Sequence, residues 1–394
     1  MPQPVIVGAV RTPIGRSFKG TLVNTSAEEL ATAIIPEVIR RSGLDAADID
    51  DIILAEANYG GGDVARYAAV AAGLDHVPGQ AVNRHCAGSL TAIGNASAQI
   101  SSGMERVLLA GGVQSLSTGP LMKWRVPTPG SLEFREPWIP PSHPETPDAP
   151  ALDMAITVGW NTAQSEGITR EDMDAWAARS HQRAVAAIDA GKFVDEILPL
   201  KVAAADGSLV DFSVDEHPRR DTTVERLAGL PVLHPEIPGF SITAGNSSGI
   251  NDAASAVALT SDDYAQDKGL KVFGSVKAWA TSAVPPRDCG LGALAVIEKV
   301  LGRAGLVSSD VDLWEINEAF ASVPVAACRK FGLDEDLVNV FGSGCSLGHP
   351  ISASGARMVT TMVYELSRRG GGIGVAAMCA GGGQGGAVVI EVQG

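Results

Sequence analysis

GLDAADIDDIILAEANYG, beginning at Gly43, and GLVSSDVDLWEINEAFAS, beginning at Gly305, are two versions of one segment. Aligned without a gap, Asp48 falls opposite Asp310, Asp50 opposite Asp312 and Glu56 opposite Glu318. Each copy passes from a Gly-Leu turn through a short acidic stretch into an apolar run of strand character. On either side the correspondence continues in order. VIVGAV from Val5 matches KVFGSV from Lys271, and RVLLAGGVQ from Arg106 matches VAAMCAGGGQ from Val375, all at an offset of about 260–270 residues. Three ordered matches at a nearly constant offset make the chain two related halves.

Within each half, Val/Ile/Leu runs alternate with Ala-rich helical windows, 27–42 in the first half and 294–304 in the second. Strands alternating with helices predict an α/β fold of parallel or mixed sheets covered on both faces. The stretch 373–390 reads as two buried strands joined by a glycine loop, because its glycines are too many for a membrane span. Residues 118–238 match neither half and read as an insertion. It opens with TGPLMKWRVPTPGSLEFREPWIPPSHPETPDAP, expected as loop. A helix is expected over 169–190, with Thr169 as its N-cap ahead of Glu171 and Asp172. The domain expectation is a first half at 1–117 completed by 239–269, the insertion at 118–238, and a second half at 270–394.

With 394 residues, 45% hydrophobic and 19% charged, the chain has the balance of an ordinary buried-core protein. The net charge of −15 argues against a nucleic-acid or anionic-membrane surface. It leaves room for an anionic small ligand at a local arginine cluster. Five scattered cysteines, without a CxxC pair or a Cys/His cluster, fit neither a disulfide framework nor a zinc site. They point to a reducing compartment, expected to be the cytoplasm.

Four segments carry chemistry. In NRHCAGSL, Cys86 sits where an apolar stretch turns into a small-residue helix, and the positive helix end favours a thiolate there. A buried, inert thiol is the competing reading. His349 lies in GHPISASG, a turn near the stage at which Cys86 stands in the other half, with a plain surface or turn histidine as the competing reading. A nucleophilic thiol needs a nearby imidazole as proton acceptor. Cys379 ends the apolar strand GVAAM and enters AGGGQGG, whose backbone N–H groups suit an oxyanion. A phosphate loop is disfavoured because no Walker pattern or following helix is present. Asn317 follows WEI and offers an uncharged amide to a water or an oxyanion, whereas its neighbour Glu318 reads as structural. Cys289, Cys328 and Cys345 have no such company and are assigned to core or surface.

The segments RTPIG, NRHCAGSL, AGNSSGIND, NEAFA, GHPISASGAR and CAGGGQGGA, in this order and spacing, resemble the motifs of the thiolase family. The resemblance runs from the first strand to the last. It implies the layered, duplicated α/β/α/β/α fold with an inserted loop domain. It also implies CoA-dependent cleavage of 3-ketoacyl-CoA to acetyl-CoA and a shortened acyl-CoA, or the reverse condensation. By the same resemblance Cys86 is acylated, His349 takes its proton, and Cys379 exchanges the proton of the acetyl carbanion. Asn317 holds a water beside His349, and the N–H groups of Cys86 and Gly381 form a second oxyanion hole. Ser248, Arg219 and Thr223 match positions that contact CoA, with a solvated arginine pair as the bland alternative for Arg219 and Arg220. CoA is then a substrate, and no metal or dissociable cofactor is implied. A homodimer or homotetramer is expected, because the family builds its active site beside a dimer interface.

Departures from the family pattern qualify this. Ser and Gly are exchanged in Cys86-Ala87-Gly88-Ser89, Ser352 replaces a glycine, Phe341-Gly342-Ser343 replaces Asn-Gly-Gly, and Gln114 replaces a glutamate. Phe341 and Cys345 are expected to alter bulk beside the His349 loop and hence acyl preference. Segment 120–150 is the expected seat of chain-length preference or assembly contacts. The alternatives are a thiolase-fold binder of acyl-CoA or lipid without turnover, and a ketoacyl synthase. The paired thiols Cys86 and Cys379 argue against both.

Overall fold

The computed structural model describes residues 1–59, 61–136 and 139–394. Gly60, which closes the first repeat copy, and Pro137 and Trp138 of the proline-rich stretch lie outside the described residues. The main sheet contains β1 (Pro4–Arg11), β2 (Asp51–Glu56), β3 (Gly79–Val82), β4 (Val107–Gln114), β5 (Asn251–Ser261), β6 (Gly274–Ala283), β7 (Leu313–Ile316), β8 (Gly372–Ala380) and β9 (Gln384–Val392). A two-residue strand, Gly15–Arg16, adds to β5. The order is β7-β8-β9-β6-β1-β5-β4-β2-β3.

The duplication is visible in this order. From β1 outward the pairings with β5, β4 and β2 are antiparallel, antiparallel and parallel. From β6 outward the pairings with β9, β8 and β7 repeat that series. The two halves meet at only two residue pairs, Val5 with Ser275 and Ile6 with Gly274. β3 extends the first half alone, parallel to β2.

Helices on and beside the sheet include α1 (Ala27–Ser42), α2 (Gly88–Ser102), α3 (Arg170–Asp189), α4 (Gly292–Ala304) and α5 (Ser354–Arg369). α1 begins in a capping box between Ser26 and Glu29 and ends at Gly43, whose φ of 70° is cheap only for glycine. Strand alternation, shifted once by a bulge between Ile6 and Gly8, then sorts the layers. Val5, Val7 and Val10 of β1 point into a core with Leu30, Ile34 and Val38 of α1. Ile6 and Ala9 point the other way, into a core with Leu90 and Ile93 of α2 and Met358 and Met362 of α5. Met378 and Val388 of the second half close that central core, and α4 covers their far side through Val296, Ile297 and Val300. The order of layers is α/β/α/β/α, with α2 and α5 in the middle. Each fully buried Leu or Ile contributes about 1.5–3 kcal/mol, so the apolar alternation is what holds the layers.

The excursion inserted in the first half departs from expectation in one respect. Its proline-rich opening contains a hairpin, Trp124–Val126 with Glu133–Arg135. The intervening turn includes Gly130 at φ 79°, which lets the chain reverse between prolines. α3 follows the sequence reading, with Thr169 and Asp172 in a reciprocal capping box. A buried ion cluster ties the excursion to β1. Arg11 donates to Glu196 at 2.6 Å and, with both terminal nitrogens, to the two oxygens of Asp215 at 2.8 Å. That fork gives Arg11 of the RTPIG segment a structural role.

Candidate active site

Cys86 stands two residues before α2, in a turn where His85 has a φ of 45° and the Asn83 side chain accepts the His85 N–H. Gly88 opens the helix because a Cβ there would come within 2.7 Å of Ala55. Ser89 accepts the N–H of Ala356 at 3.0 Å, so it joins the first turn of α2 to the first turn of α5. The loops before these two central helices, carrying Cys86 and His349, therefore open side by side.

The thiolate expected of Cys86 from its helix end is not the resting state. Burial pushes its thiol up to about 12, and the neighbouring Cys289 adds to that. The N–H groups of Gly381 and of Cys86 itself face the sulfur and pull the other way, without overcoming desolvation. The cost of removing an anion from water wins over a partial helix charge.

His349 is buried, and its backbone N–H donates to Asn251 at 3.1 Å. Its Nδ1 lies 2.7 Å from Ser354 Oγ, which lies 2.9 Å from the carbonyl oxygen of Pro350. Burial, aided by the charge of Arg357, lowers the imidazole to about 4. Arg357 is held beneath the loop by Glu315 and Ser343, each at 2.8 Å. The amide nitrogen of Asn317 sits 3.4 Å from either ring nitrogen of His349, while its buried oxygen has no protein partner. Cys379 is the penultimate residue of β8, and burial raises its thiol well above the usual range. The turn from Gly381 to Gly383 needs glycine, with Gly382 and Gly383 both at φ 79°. Cys86, His349, Cys379 and Gly381 all line one cavity of about 340 Å³, whose other walls include Leu116, Met154, Val158, Phe320 and Ile351.

The nucleotide-side candidates divide. Ser248 lines this cavity. Arg219 is exposed, with its backbone N–H on His181, and Thr223 is spent capping a short helix by accepting the Arg226 N–H. Neither is among the residues lining the cavity with Cys86. Arg220 is an exposed partner of Asp189. Phe341 also departs from expectation. It packs edge-on to Phe193 at 5.9 Å, in a cluster with Ile14 and Leu347, and Cys345 turns to Glu318. Neither lines the cavity, so neither sets its bulk.

Glu318 is structural as read. It accepts from Trp176, Ser180, Asn339 and the backbone of Cys345 at 2.6–3.1 Å. The two other departures prove to be partners. Ser352 donates to Gln114 and accepts the N–H of Ala57, while Gln114 donates to the carbonyl of Ala57. This ring binds the His349 loop to the ends of β4 and β2. Cys289 was placed in core or surface from sequence. It is buried and donates to the carbonyl of Ala380 at 3.2 Å, directly beside Cys379. Ser354 was visible only as a letter of GHPISASG; its contact with the imidazole depends on the loop's curvature.

Comparison with known proteins settles the family. The thiolase N-terminal domain model matches residues 4–263, and the thiolase C-terminal domain model matches residues 270–392. The chain belongs to the thiolase family. Among similar thiolases, an acetyl-CoA acetyltransferase of Pseudomonas aeruginosa is 38% identical over 99% of both chains. A beta-ketoadipyl-CoA thiolase of the same species is 39% identical over 98% of both. The thiolase fold is equally plain. The Bacillus anthracis acetyl-CoA acetyltransferase superposes with a TM-score of 0.90 at 37% identity, over 100% of this chain and 99% of that one. Human mitochondrial 3-ketoacyl-CoA thiolase gives 0.90 at 32% identity, with the same coverage.

Proposed function

We propose that this thiolase is an acyltransferase that cleaves 3-ketoacyl-CoA with free CoA, or runs the reverse condensation, through an acyl group on Cys86. The observation that carries this is the meeting of two thiols and an imidazole in one apolar cavity, with the Gly381 N–H directed at the Cys86 sulfur. The Cys86 proton passes to His349 as sulfur attacks the 3-keto carbon. The bond between the second and third carbons breaks, and the acetyl-CoA enolate takes a proton from Cys379. His349, now protonated, and Asn317 stand beside the enolate oxygen. The thioester oxygen left on Cys86 meets the N–H groups of Cys86 and Gly381. Free CoA then gives its proton to Cys379 and attacks the acyl thioester, and the Cys86 sulfur leaves and takes its proton back from His349. The chemistry runs on protein groups and substrate thiols, so we assign no metal or dissociable cofactor.

Ser248 is the pantetheine contact in this reading, with Arg219 and Thr223 on the nucleotide side. The domain division stays as stated from the sequence, with 118–238 serving CoA binding and assembly. The active form is a homo-oligomer built on a dimer. Among the described residues, β3 ends the sheet with its outer edge unpaired, Gln80 and Ala81 are exposed, and GQAV carries no charge to deter a second strand. Five free thiols fit a reducing compartment such as the cytoplasm, and no helix among the described residues is long and apolar enough to cross a membrane.

The test is acetyl-CoA release from free CoA and a panel of 3-ketoacyl-CoAs, from acetoacetyl to long, ring-bearing and carboxylate-bearing chains. Cys86→Ala and Cys379→Ala should each lose on the order of 10³-fold or more in kcat. CoA esters that bind without any turnover across the panel would replace this reading with that of a binding protein.

A further inference from the structure

We propose that Ser354 is a positioning residue that holds His349 with its proton on Nδ1, leaving Nε2 as the atom that receives the Cys86 proton. The proposal rests on the reading above for its catalytic meaning but not for its geometry. Ser354 Oγ is 2.9 Å from the Pro350 carbonyl oxygen and 2.7 Å from His349 Nδ1. The Pro350 carbonyl, which also takes the N–H groups of Ala353 and Ser354, can only accept, and the serine hydroxyl stands at a good O–H···O distance from it. Once the hydroxyl hydrogen is committed to Pro350, Ser354 turns a lone pair toward the imidazole. Nδ1 must then be the protonated nitrogen, and Nε2 keeps its lone pair.

The assignment differs in kind from a triad with a carboxylate. An aspartate behind a histidine fixes the tautomer and also stabilises the imidazolium. A serine hydroxyl is uncharged and does only the first. Among the described residues, the charged neighbour that moves His349 is Arg357, a cation, which works with burial to keep the ring neutral. Cys86 is likewise held as a thiol. The resting pair is thus neutral thiol and neutral imidazole, and the proton crosses only as sulfur bonds to carbon. The imidazolium formed in that step has no carboxylate to retain its proton. Its Nε2–H is free to stand by the enolate oxygen and then to return.

The rival arrangement is a Ser354 hydroxyl donating to Nδ1, which would place the ring proton on Nε2 and leave no lone pair there to receive a proton. Nitrogen shifts of the histidine rings distinguish the two in full-length protein labelled with ¹⁵N-histidine. The chain has seven histidines, and His349→Asn identifies the relevant signals by their loss. The expected result is a protonated Nδ1 and an unprotonated Nε2 for His349 at neutral pH. Ser354→Ala should lose that pattern and lower kcat about 10- to 100-fold with KM within about two-fold, the range of a misplaced general base. Ser354→Thr, which keeps the hydroxyl, should restore both. A protonated Nε2 in the unaltered protein overturns the proposal, as does Ser354→Ala with kcat within about two-fold. A protein that shows the Nδ1–H tautomer yet turns over no 3-ketoacyl-CoA would overturn the assigned reaction and leave the tautomer standing.

Discussion

Desolvation decides several side chains in this molecule against what their local sequence favours. Cys86 lies beside a helix N-terminus and still holds its proton, because the cavity that admits an acyl chain also strips water from the sulfur. His217 illustrates the effect on stability. Burial, with His181, Arg219, Arg16 and Lys19 nearby, lowers it to about 3, against an ordinary value of 6.5. The unfolded chain takes up a proton below about pH 6.5 that the folded chain refuses until about pH 3, so this group removes stability as the pH falls through that window. Replacing it by His217→Gln should make the fall in unfolding free energy between pH 7 and pH 4.5 shallower, by on the order of 2 kcal/mol. Denaturant melts of both proteins at the two pH values read the difference, and parallel falls would refute it. The four candidate residues could be singled out in the sequence because thiol, imidazole and amide announce their chemistry by type, and the fold brings them together. The roles of Phe341 and Ser354 were not legible, since these depend on which neighbour a loop turns each side chain toward.

Among the elements, β4 makes the closest demand. A Cβ on Gly112 would stand 1.9 Å from the carbonyl oxygen of Ser352, in the backbone of the His349 loop. That oxygen cannot swing aside as a side chain would, so the loop or the strand must move. Gly112→Ala is expected to lose about 1–3 kcal/mol of stability, as overpacked sites do. It should also cut kcat at least 10-fold by displacing His349, since a misplacement of about 1 Å costs far more in catalysis than in folding. Thermal melts and steady-state rates on one preparation test both, and an unchanged kcat would count against the loop contact. Strands β8 and β9 with their glycine turn were readable because buried apolar runs and consecutive glycines are local signals. The hairpin at Trp124–Val126 and Glu133–Arg135 was not, because proline density hid two three-residue strands that pair through backbone alone.

For the whole molecule, the unpaired edge of β3 predicts association. Light scattering at micromolar concentration should give at least twice the chain mass of 40.6 kDa. Ala81→Lys, which places charge on that exposed edge, should shift the protein toward the monomer while the fold melts as before. A dimer indifferent to this change would place the interface elsewhere. The halves were legible at this scale because duplication leaves the same residues at a fixed distance. Their joining into one sheet was not, since the junction consists of two residue pairs between strands that look alike in sequence.

That narrow junction carries a history. An ancestor of half the length, pairing with itself across the strand that became β1 and β6, would have displayed two identical loops around the axis. Identical loops would each present the same group. In the present chain the loop before α2 carries the thiol of Cys86, and the matching loop before α5 carries the imidazole of His349. Even the shared repeat position was reassigned, with Glu56 now holding the Val64 N–H and Glu318 the buried network beneath the second loop. Division of labour between once-equal copies is written into the one sheet they share.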